Sequence, residues 1–82
     1  MNIEYDKDKV DGYTLASLYL VTHERHEGIG ARALKGFDWA SLNRLQEKGY
    51  ISNPVGKAKS IAMDEEGFKK AQELFKKLFV TA

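Results

Sequence analysis

The stretch LQEKGYISNPVGKAKSIAMDEEG, Leu45 to Gly67, decides how the rest of the chain is read. Gly49 follows Lys48 at the position where a helix closes in the left-handed conformation, which ends a helix of about residues 39–48. Tyr50 and Ile51 then start an extended segment, and Asn53-Pro54 and Gly56 are turn residues. From Lys59 to Met63, Ile61 and Met63 alternate with Ser60 and Ala62. The expectation is a β-hairpin of about 50–53 and 58–63 with a basic tip. Asp64 is a helix N-cap, and Glu65 and Glu66 follow in a first turn that favours negative charge.

Working outward, Phe68, Ala71, Phe75, Leu78 and Phe79, with Leu74 beside them, form an apolar stripe that predicts a last helix over about 65–79. Glu65 with Lys69, Glu66 with Lys70 and Glu73 with Lys77 stand acid-first at i, i+4 on its polar side. Upstream, Asp38 caps the 39–48 helix, Phe37 and Leu42 can form a hydrophobic staple, and Trp39, Leu42 and Leu45 share what reads as a core face. At the front, Val10, Tyr13, Leu15, Ala16, Leu18, Tyr19, Leu20 and Val21 predict a mostly buried first helix of about 8–24, with Asp6, Asp8 and Asp11 crowding its start. Between the first two helices lies RHEGIGARALKG. Gly28 and Gly30 read as loop, with at most one helical turn at Ala31 to Lys35.

The 82 residues fit one domain, 1–82, with a small core and little room for a deep pocket. At 43% hydrophobic and 30% charged, without a long apolar run, the chain reads as globular and not membrane-spanning. The start MNIEYDKDKV lacks the basic and apolar blocks of a signal peptide, and there are no cysteines, so a bacterial-type cytoplasm is the expected location. The net charge of +1 is unevenly laid out. Residues 1–24 hold five acids and two bases (−3), residues 25–59 three acids and seven bases (+4), and residues 60–82 four of each. A basic middle third points modestly towards an anionic partner.

From residue 39 onward the chain resembles the winged-helix superfamily, in particular the back half of MarR- and PadR-type regulators. The resemblance rests on Leu42, Leu45, Glu47 to Ile51, Lys59 to Ile61, and the "MDEEG" of Met63 to Gly67. It implies an α+β, winged-helix-like domain of three helices with a two-stranded wing, in which the supporting helix before the recognition helix is shortened or missing. The whole chain also resembles a small bacterial family of unknown function that shares "THERHE", "KGFDW" and "GKAKS".

Catalytic and ligand-binding signals are weak. His23-Glu24-Arg25-His26-Glu27 falls one residue short of the HExxH spacing and has no complete ligand set, so no metal is expected. The glycines spell no phosphate loop, and Ser17 and Ser60 have no histidine at a suggestive spacing. The expectation is a non-enzyme without cofactor, small-molecule substrate or membrane. Two readings of its use stand side by side. In the first, Arg25, Arg32, Lys35, Arg44, Lys48, Lys57 and Lys59 contact DNA phosphates while Ser41, Asn43 and Arg44 face bases. In the second, the scaffold serves protein interaction or homodimer formation through Phe75, Leu78 and Phe79.

Overall fold

A computed structural model describes residues 3–34, 36, 38–52 and 60–81. Six elements follow in order: α1 Lys7–Leu20, β1 Thr22–His26, β2 Gly30–Leu34, α2 Trp39–Glu47, β3 Ser60–Asp64 and α3 Glu65–Leu78. The three strands form one antiparallel sheet in the order β1-β2-β3. The expected α+β class with three helices holds, and the arrangement is compatible with a small winged-helix-like domain.

The helix ends follow their local chemistry. The Asp6 carboxylate accepts from Lys9 N, Asp38 from Ser41 N, and Asp64 from Gly67 N at 2.7 Å, so each of the three helices starts on an aspartate cap. At the end of α2, Gly49 takes φ +85°, Gly49 N donates to Gln46 O and Tyr50 N to Leu45 O. That pair of bonds is a Schellman closure, and it satisfies carbonyls the helix leaves open.

Several expectations need correction. The first helix stops at Leu20 instead of continuing to Glu24, because Val21 and Thr22 are β-branched and Thr22 Oγ1 donates back to Leu18 O at 2.9 Å. The segment read as loop is the β1–β2 hairpin, turned by residues 27–29, with Gly28 at φ +78° and Ile29 N donating to His26 O. β2 occupies Ala31 to Leu34, where one helical turn was expected, so β-structure stands where a supporting helix would lie. The return strand of the expected wing is present as β3, which pairs with β2 in the register Ala31↔Met63 and Ala33↔Ile61. Residues 50–52 are not a ladder strand but do run against β3, with Ser52 N donating to Ala62 O at 2.8 Å. Residues 53–59, the expected basic tip, lie outside the described residues.

All helices that touch the sheet do so from one side. Ala31, Ala33, Ile61 and Met63 point inward and meet Leu15, Leu18, Leu42, Leu45, Ile51, Phe68 and Ala71 in one core. α1 packs chiefly along α3, running antiparallel to it, with Tyr19 against Phe68 and Phe75 and Tyr13 against Phe79. Gly67 in the first turn of α3 lies so close to the Tyr50 carbonyl that a Cβ there would collide with its oxygen. Trp39 departs from the expected core face. At the first position of α2 it is 53% exposed, and Leu42 and Leu45 fill the core without it.

Candidate functional site

The charged residues singled out in the sequence are largely occupied with one another. Arg44, on α2, donates from Nε to Asp11 Oδ2 at 2.8 Å and from Nη2 to Asp11 Oδ1 at 2.9 Å, a two-point grip across α1 and α2. Lys48 completes the cluster, 3.5 Å from Asp11 and 3.2 Å from Asp8. Asp11 is 1% exposed, so it is a buried carboxylate inside the fold, not a solvated helix-start charge. Burial pushes its pKa up, but the hydrogen bonds and charge of Arg44, with Lys48 behind them, outweigh that and hold it below the usual carboxylate value. Arg44 and Lys48 are held above their ordinary values, first by side-chain hydrogen bonds to Asp11 and Asp8 respectively.

A second grip fastens the hairpin. Arg25 on β1 donates to both Glu65 oxygens at 2.8 and 3.0 Å and to Gly30 O, and its guanidinium lies 4.0 Å from the centre of the Phe68 ring. Gly28 N donates to the same Glu65 at 3.2 Å. These hydrogen bonds, Arg25 first, hold the Glu65 carboxyl below its ordinary value. Arg32 on β2 binds Ser60 Oγ of β3 at 2.9 and 3.1 Å.

Of the residues read as DNA contacts, Arg25, Arg32, Arg44 and Lys48 are therefore engaged inside the protein, in three separate places. Ser41 is fully buried, and its hydroxyl accepts from Arg44 at 3.3 Å. Asn43 is exposed on α2. Lys35, Lys57 and Lys59 lie outside the described residues. His23 and His26 sit on a strand and not on a helix, and His26 Nε2 is 3.0 Å from Glu24 Oε2. The interaction candidates do come together: Phe75 and Leu78 are half-buried, and Phe79 is 40% exposed with its ring 5.6 Å from that of Tyr13.

What sequence reading did not single out is the outer face of α1. At about 100° per residue, Asp6, Lys9, Val10, Tyr13, Ser17 and Leu20 fall in one arc of the helix. The opposite arc carries the buried Asp11, Leu15 and Leu18. Tyr13 is 40% and Leu20 68% exposed, and Tyr5, Phe79 and Val80 add further exposed apolar surface. A groove of about 400 Å³ runs along this face between Tyr5 and Tyr13, floored by Val10, Thr14 and Ser17, with Asp6 and Lys9 at its rim. The available sequence signal was that α1 is apolar around its circumference, a pattern that belongs to helices covered on both sides. A second groove, about 480 Å³, lies over the outer face of the sheet with Glu24, His26, Arg32 and Asp64 on its walls. Among the described residues, no group of three or more histidine, aspartate or glutamate side chains is placed to hold a metal ion. No helix among them is long and apolar enough to cross a membrane.

A family described as a domain of unknown function, DUF6429, matches residues 6–81. The chain belongs to this family. The family match takes in every element from α1 to α3, including the α1 face and both ionic grips. An uncharacterized protein, y4hR, of Sinorhizobium fredii (strain NBRC 101917 / NGR234) is 44% identical over 77 residues, spanning 94% of this chain and 97% of the relative. No solved structure matches the chain.

Proposed function

We propose that this domain is a non-enzymatic protein-interaction module and that its docking surface is the outer face of α1, extended by Phe79 and Val80. The observation that carries this reading is the two-sided apolar character of α1. Leu15 and Leu18 fill the core while Tyr13 and Leu20 stand exposed on the other side with Tyr5. Solvent-facing helix surfaces are ordinarily polar, so Tyr13, sharing a groove with Tyr5 and in ring contact with Phe79, fits a partner.

Two further observations support it. The side chains with displaced pKa values, Asp11, Arg25, Arg44, Lys48 and Glu65, owe the displacement to pairing with one another, which is the signature of structural ion pairs and not of an acid–base site. The same pairing leaves Arg25, Arg44 and Lys48 poorly disposed to neutralise phosphates, while Arg32 is turned onto the Ser60 hydroxyl. The winged-helix likeness belongs to the scaffold from α2 to α3, with the β1–β2 hairpin in place of a supporting helix. That substitution removes the element a helix-turn-helix needs to present its reading helix.

A photoreactive benzoylphenylalanine at position 13, compared with one at Glu24 on the sheet's outer face, tests the reading in cells producing the chain. Discrete protein adducts, with a second copy or with another protein, are expected from position 13 and not from position 24. Adducts from neither site, or from position 24 alone, would overturn it. Saturable, salt-sensitive binding of labelled duplex DNA that shifts the amide signals of residues 25–48 would replace it with the DNA reading.

A further inference from the structure

We infer that β1 is a strap latched shut by Glu65, and that it opens away from β2 while the rest of the fold stays intact. This is independent of the interaction reading and uses other residues. Among the described residues β1 is an edge strand, with β2 on one side and no strand on the other. None of its five residues is buried: Thr22 and Arg25 are half-buried, and His23, Glu24 and His26 are exposed. Glu27, Gly28 and Ile29 of the turn are exposed as well. The strand therefore gives the core no side chain, and its ladder is interrupted between Thr22 and Glu24. A two-stranded ladder without an apolar face packed on a core is marginal in water and opens at low cost.

β2 differs in each of these respects. Ala31 and Ala33 are buried in the core, and the strand pairs with β3 along its whole length, from Gly30↔Asp64 to Leu34↔Ser60. Gly30 lies so close to β3 that a Cβ there would collide with Met63 O. The weak seam is therefore between β1 and β2. Among the described residues, the bonds and ring contacts that tie residues 23–29 to anything outside the hairpin all end in the first turn of α3. Arg25 donates to both Glu65 oxygens, Gly28 N donates to Glu65 Oε1, and the Arg25 guanidinium lies over the Phe68 ring. One carboxylate thus holds the strand and its turn together, through charge-assisted bonds. At the other end Thr22 stays anchored, its Oγ1 donating to Leu18 O, and Leu34 N donates to Val21 O. The strap accordingly hinges at Thr22 and at the turn. Its opening bares the backbone groups of β2 that face β1 and the side of the Phe68 ring beneath Arg25. Glu65 decides whether that strand edge is sealed or offered.

Amide hydrogen exchange of the folded full chain, read residue by residue by NMR, tests this. In the wild type the β1 amides paired with β2 should exchange at least about a hundredfold faster than those of Leu18 and Ala71, with little dependence on sub-denaturing urea, because a local opening exposes little surface. Glu65→Gln should speed the β1 amides by about a further tenfold, while the core amides of α1 and α3 change by less than about threefold. Glu66→Gln makes the same charge change in the same turn of α3 without touching the hairpin, and should leave the β1 amides within about twofold of wild type. If β1 amides of the wild type exchange at the core rate and with the core's urea dependence, the strand opens only with the whole domain and the strap is overturned. That measurement decides even where a variant does not fold. Equal β1 rates in Glu65→Gln and Glu66→Gln would overturn the latch.

Discussion

On one side of α1, Leu15 and Leu18 are sealed by α3, α2 and the sheet. On the other, Tyr13 and Leu20, of similar apolar character, face outward. The two faces belong to the same fourteen residues, share one aspartate cap, and differ in what lies against them. The inner face is closed by long-range contacts and locked by Asp11 to Arg44, 33 residues apart in sequence. Among the described residues, the outer face has Phe79, Val80 and the short segment before the helix beside it. The contrast separates two roles that hydrophobicity alone does not distinguish: one face holds the fold together and the other is the face we propose for partner contact.

The comparison would break most visibly at the leucines. Leu18→Ala should destabilise the domain by about 3–4 kcal/mol, the usual result of emptying a fully buried leucine site. Leu20→Ala, two positions on, should change stability by less than about 0.5 kcal/mol. Urea unfolding of both variants measures the difference, and equal losses would mean that the outer face is as structural as the inner one.

Asp11→Ala comes next. It leaves the Arg44 guanidinium without its two-point acceptor in a partly buried site, at a cost of about 2–3 kcal/mol. Thermal unfolding at neutral pH reads it, and a change near zero would show the grip to be incidental.

The acid limb of the stability curve sharpens the same point. Asp11 and Glu65 both have native pKa values below their unfolded ones. Their contributions are therefore fully present above the unfolded carboxylate value, about pH 4, and are lost as pH falls through the lower native values. Asp11→Asn should flatten this acid loss relative to wild type, whereas Tyr13→Glu should not. Midpoints of thermal unfolding measured between about pH 7 and about pH 2 separate the two.

Much of this architecture was legible because its signals are local. Asp38, Gly49 and Asp64 mark helix ends within four residues of the bonds they make, and α2 and α3 fall where those signals put them. The β1–β2 hairpin was not legible. Thr22–His26 is polar throughout and Gly30–Leu34 is built on glycine and alanine, so neither shows the branched alternation of a strand. Their support comes from β3 and from Arg25 to Glu65, 40 residues away. The same distance effect turned Arg44 and Lys48, which look like a basic surface in sequence, into partners of Asp11. Tyr13 was hidden differently: a helix apolar all round reads as core, and only three-dimensional placement says which side has been covered.

The strand order has a kinetic consequence. β2 is the middle strand, joined to β1 through residues 27–29 but separated from β3 by residues 35–59. Closing the first connection takes roughly microseconds, whereas the second requires bringing together ends some eightfold further apart along the chain. The arrival of β3 on a preformed hairpin is thus the natural rate-limiting event of folding. Ile61→Val, at the β2–β3 contact, should slow refolding in stopped-flow mixing, and Thr22→Ser, in a hairpin already formed at that barrier, should also act on refolding and leave the unfolding rate nearly unchanged. α2, with its own cap and closure, shortens the span that must be closed, so the most self-sufficient helix of the chain also serves as the spacer that lets its sheet assemble.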